Sequence, residues 1–92
     1  MPTGNTTINF GVTHTKSEDR ITVTGQAAIL ATSQVEAWVR AEASADHSAD
    51  EHMVEALEVR AGNIVPGVGF DIFVHCENSF TYGVWNLSWA WL

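Results

Sequence analysis

The densest group of side chains able to do chemistry is Ser44-Ala45-Asp46-His47-Ser48-Ala49-Asp50-Glu51-His52. From Glu42 to Glu58 the chain carries six carboxylates and two histidines, with no Lys or Arg among them. Imidazole and carboxylate together bind zinc or another divalent ion. Asp46, His47, Asp50 and His52 are therefore candidate metal ligands or loop contacts. Their spacing weighs against a metal. His47 and His52 stand five apart, which fits neither the three- or four-residue repeat of a helix face nor the two-residue repeat of a strand. A zincin helix needs two histidines flanking Glu-x-x, and an EF-hand needs glycine and a terminal glutamate in register. Neither pattern is present. The competing reading is a solvated acidic loop whose Ser and Asp side chains bond to nearby backbone. A metal on a symmetry axis shared between copies is the alternative.

No catalytic group emerges elsewhere. Cys76 follows His75 directly, and neighbours on a strand point to opposite faces, so the two cannot form a nucleophile–base pair. Cys76 shares its face with Phe70, Ile72 and Val74, which makes it a buried, inert thiol. No serine sits in a nucleophile elbow, and no glycine-rich loop opens a helix to hold phosphate. The expectation is a protein that is not an enzyme and carries no cofactor.

The elements that must position these residues repeat with period two. Val35, Ala37, Val39 and Ala41 alternate with Glu36, Trp38, Arg40 and Glu42. Phe70, Ile72, Val74 and Cys76 alternate with Asp71, Phe73, His75 and Glu77, and Leu57, Val59 and Ala61 with Glu58 and Arg60. Such alternation marks half-buried strands. The pattern predicts six strands, at about 6–13, 20–25, 34–42, 56–61, 68–77 and 81–92. His14–Asp19 reads as a hairpin loop between the first two, Gly62–Gly69 as a turn or bulged connection, and Glu77–Ser79 as a tight turn. Gln26–Ser33 and Ala43–Met53 are helical or irregular. The fold class is all-β: a small antiparallel β-sandwich or barrel-like fold, one domain over residues 1–92.

Composition limits the partners. The 92 residues are 46% hydrophobic and 16% charged, with a net charge of −7. Acidity on that scale argues against nucleic acid, whose phosphates need clustered Lys and Arg, and against an anionic membrane surface. Met1–Asn5 lacks the features of a secretory signal, and no apolar run approaches the roughly 20 residues needed to span a bilayer. Three of the four tryptophans, Trp85, Trp89 and Trp91, fall in the last eight residues and share one strand face with Leu87. Two readings stand open. The indoles form the core, since such rings bury roughly 150–250 Å² each, or they form a subunit interface, where Trp is enriched. Trp38, on the charged side of its strand, is the candidate exposed anchor.

Residues 34–92 also carry a resemblance. Ala45–Glu55 with Ala61-Gly62-Asn63-Ile64-Val65-Pro66-Gly67-Val68-Gly69-Phe70, Thr81-Tyr82-Gly83-Val84-Trp85 and the closing Trp89-Ala90-Trp91 resemble a group of small phage and prophage proteins of uncharacterised role. The resemblance implies a virion structural protein and carries over no site residue. The expectation is a capsid decoration or stabilising protein that binds the major capsid protein, or other virion proteins, through Trp38, Trp85, Trp89 and Trp91. It would act as a homo-oligomer, with a trimer favoured, in virions assembled in the host cytoplasm. A tail or receptor-binding fibre module, and a carbohydrate-binding β-sandwich, are the alternatives.

Overall fold

The computed structural model describes residues 1–12, 16–77 and 80–92. Six strands form: β1 (Thr3–Asn9), β2 (Glu18–Val23), β3 (Val35–Val39), β4 (Leu57–Val65), β5 (Gly69–Cys76) and β6 (Val84–Trp91). One short helix, α1 (Ala49–Val54), lies between β3 and β4. The strands make two antiparallel three-stranded sheets, ordered β1-β6-β3 and β2-β5-β4. No helix among the described residues is long and apolar enough to cross a membrane.

The period-two pattern directs one face of each sheet inward. From β6 come Trp85, Leu87, Trp89 and Trp91, and from β5 come Phe70, Ile72 and Val74, all buried and meeting between the sheets. Phe70 and Trp89 pack edge to face across that space, with centroids 5.4 Å apart, a favoured arrangement of aromatic quadrupoles. Each fully buried apolar side chain of this size stabilises the fold by roughly 1.5–3 kcal/mol. The indole N–H groups of Trp85 and Trp91 are satisfied by Thr81 Oγ1 at 3.2 Å and Gln26 Oε1 at 2.9 Å. Cys76 is buried, as its face requires.

The all-β expectation holds, and several details differ, among them the end of the first strand at Asn9, short of residue 13, and the start of the last at Val84, later than residue 81. The first strand starts at Thr3, in a polar stretch with no apolar signal. Gly4 permits this, because the indole of Trp89 lies where a Cβ would stand. β3 ends at Val39, short of residue 42, because the chain leaves the sheet at Arg40. β4 continues to Val65 through a register shift between Gly62 and Val65, with Asn63 at φ 53°. The extra unpaired residue of a bulge explains the missed length. Lastly, β1 and β2 lie in different sheets, so the segment between them crosses over and makes no hairpin. Part of that segment, with residue 13 and the Asn78–Ser79 end of the expected turn, lies outside the described residues. The β4–β5 connection is the expected turn, closed by a 3.0 Å bond from Val68 N–H to Val65 C=O with Pro66 and Gly67 at its centre.

Candidate functional site

The acidic segment forms a strap across the edge of β6 where β3 has departed. After Arg40 N–H donates to the Asn86 carbonyl at 2.9 Å, no strand continues on that side. Side chains from the strap take over the backbone groups left without a strand partner. Ser44 Oγ donates to the Val84 carbonyl at 2.6 Å, and the Asp46 carboxylate accepts the Val84 N–H at 2.7 Å. The Asn86 N–H donates to His52 Nε2 at 3.0 Å, and the Asn86 side-chain amide donates to the Glu42 carbonyl at 2.9 Å. A buried backbone donor left unpaired costs about 1–3 kcal/mol, so these contacts stand in for a missing ladder.

α1 fixes the strap. Ser48 is its N-cap, with Ser48 Oγ accepting the Glu51 N–H at 3.2 Å and Glu51 Oε1 accepting the Ser48 N–H at 3.1 Å. This reciprocal pair is a capping box. It was legible in the spacing Ser48-x-x-Glu51, although the acidic composition favours a loop. The other Glu51 oxygen lies 2.8 Å from His47 Nδ1. The Glu51 carboxyl is held below its ordinary range, first by the His47 hydrogen bond and then by the Ser48 N–H.

Both histidines are buried, at 5% exposure for His47 and 4% for His52. The solvated-loop expectation fails for them. Their rings converge on Trp85: His47 stacks on the indole at 3.7 Å and 14°, and His52 meets it edge-on at 4.8 Å. The five-residue spacing defeats a helix or strand test because the chain changes conformation between them. Ser48 is extended, with φ −74° and ψ 168°, and the helix begins at the next residue. Two conformations, rather than one repeat, bring the rings to 6.2 Å.

The metal expectation fares differently from the burial. His47 Nε2 lies 2.7 Å from the Tyr82 carbonyl, and His52 Nδ1 lies 2.8 Å from the Ser48 carbonyl. Every ring nitrogen of the pair is thus engaged within the protein. Asp46 is committed to Val84, and Asp50 is exposed in the first turn of α1, away from the rings' contacts. Among the described residues no group of three His, Cys, Asp or Glu side chains could hold a metal. Gly83 completes the site: it has φ 73°, and the Asp46 carboxylate fills the space a Cβ would need. A side chain there would displace the group that holds Val84.

Of the four tryptophans expected to face a partner, three are corrected. Trp85, Trp89 and Trp91 are core residues, because β6 is the central strand of its sheet and turns them inward. Trp38 remains 46% exposed on the outer face of β3. Register places it in a row with Ser88 and Asn5, whose side chains are joined by a 2.8 Å hydrogen bond. A shallow groove beside it runs between β3 and β4, lined by Glu36, Ala37, Val59, Arg60 and Ala61.

No family model matches the chain, and no curated protein or solved structure matches it. The site must be read from its own geometry. One end of the sandwich is a clasp of buried polar groups; the outer face of β3 presents the Trp38 indole beside a groove, and Phe73 of β5 and Phe80 are exposed rings elsewhere on the surface.

Proposed function

We propose that the protein is a non-enzymatic binding module of a bacteriophage particle, a decoration or stabilising protein on the capsid shell. The observation that carries the binding role is Trp38, a half-exposed indole on an edge strand amid small and polar neighbours. Trp is enriched among the few residues that dominate binding energy at interfaces. The resemblance of residues 34–92 to small phage proteins supplies the partner class. In this reading the groove between β3 and β4 receives a segment of the major capsid protein, and Trp38 supplies the main apolar contact. Many copies on one shell add avidity to a modest contact per copy. The same module acts as a homo-oligomer, with a trimer favoured. Purified protein mixed with bare shells of the phage that encodes it is expected to bind to saturation at a fixed number of copies per shell. Binding that does not saturate, or is absent, overturns the decoration role. Attachment confined to the tail in a map of the virion would move the module to the fibre.

A second reading is favoured by the same residue. An indole beside Glu36 and Arg60 offers a stacking face together with hydrogen-bonding groups, as a sugar ring requires. Titration with neutral oligosaccharides while following the tryptophan fluorescence of the parent and of Trp38→Ala separates the two. Saturable quenching in the parent that is lost in Trp38→Ala supports the carbohydrate reading, and no response in the parent overturns it.

A further inference from the structure

The hydrogen-bond partners of the two buried histidines differ in kind. His52 has one partner that can only donate, the Asn86 N–H at Nε2, and one that can only accept, the Ser48 carbonyl at Nδ1. Those partners require a neutral ring with its proton on Nδ1. His47 has two acceptors. Its Nε2 faces the Tyr82 carbonyl at 2.7 Å, and its Nδ1 faces the Glu51 carboxylate at 2.8 Å. A neutral imidazole has one N–H, so it can satisfy only one of them. An imidazolium satisfies both.

We propose that His47 is an imidazolium in the folded protein and works as a proton-dependent latch, fastening the strap of residues 43–54 to β6. The charge is accommodated from every side. Within the strap the flanking Asp46 is a carboxylate, and α1 supplies Glu51. From β6 the face of Trp85 lies parallel to the ring at 3.7 Å, placing the cation against the negative face of the indole. The Tyr82 ring, just before β6, is 4.8 Å away. The other ring nearby, His52, has its two nitrogens taken by the Asn86 N–H and the Ser48 carbonyl. Arg40, at the end of β3, is engaged by Glu42 and Asn86. With the proton in place, one ring ties the helix, through Glu51, to the backbone before β6. Without it, one of the two ties is lost and a lone pair faces an oxygen.

The latch is a device of the fold and does not rest on the capsid reading. Long-range ¹H–¹⁵N correlation spectra of the full chain at about pH 7, where free histidine is mostly neutral, read charge and tautomer at each ring. The expected result is two protonated nitrogens on His47 and a single proton on Nδ1 of His52. A neutral His47 ring overturns the proposal. The latch itself is tested by Trp fluorescence as the pH is raised, because a stacked imidazolium quenches an indole. The parent is expected to brighten as His47 loses its proton, and His47→Gln is expected to show no such step. An identical step in both proteins overturns the latch. The spectra of the parent keep the proposal falsifiable if the variant does not fold.

Discussion

At the scale of single residues, the histidines show that burial follows backbone need. His52 is buried because the Asn86 N–H has no strand partner, and replacing its ring with an apolar one orphans that donor. His52→Leu is expected to cost about 1–3 kcal/mol, read as a shift in the urea unfolding curve. Asp50→Asn, on the exposed side of α1, is expected to stay within about 0.5 kcal/mol. Glu51 gives a pH dependence with a definite sign. Its folded carboxyl is lowered by His47 and the Ser48 N–H, so its stabilisation is present above the ordinary carboxylate range and is lost as pH falls through the lowered value. The stability difference between the parent and Glu51→Gln should therefore shrink on acidification, measured by unfolding midpoints across that range. At this scale the sequence was half legible. The capping box is written in Ser48 and Glu51, whereas the meeting of His47 and His52 depends on a change of backbone conformation that a spacing rule cannot contain.

Among the elements, period-two alternation locates the strands but does not fix their ends: β3 stops at Val39 although the alternation runs on to Glu42. β5 alternates strongly and was placed within a residue or so at each end. β1 begins with Thr3-Gly4-Asn5, where pairing with Ala90, Trp89 and Ser88 makes a strand without apolar residues. Its geometry depends on the missing side chain of Gly4. Gly4→Ala forces a methyl group against the Trp89 indole and is expected to cost about 1–3 kcal/mol, seen as a lower thermal midpoint. The β6 edge offers a second test at this scale. The Val84 and Asn86 amides face side chains of the strap and no strand, yet both are hydrogen-bonded. Both are expected to exchange slowly with solvent, and Asn86 to lose that protection in His52→Leu. Fast exchange of both in the parent would contradict the strap.

For the whole molecule, alternation identified which residues face inward but not which strands pair, because period two sets a face and leaves the neighbour open. The partition into β1-β6-β3 and β2-β5-β4 comes from long-range pairing, and with it came the crossover that replaces the expected hairpin. That partition also decides the fate of the tryptophans. A terminal strand rich in indoles reads equally as an interface or a core until β6 is seen to lie between β1 and β3. Its indoles then belong to the interior, and of the four only Trp38 stays exposed, which makes it the contact proposed for a partner. The direct test is a binding titration of bare phage shells with the parent and with Trp38→Ala, alongside their unfolding curves. The account predicts binding weakened at least about tenfold with the unfolding midpoint little changed. Equal binding by the two proteins would contradict it.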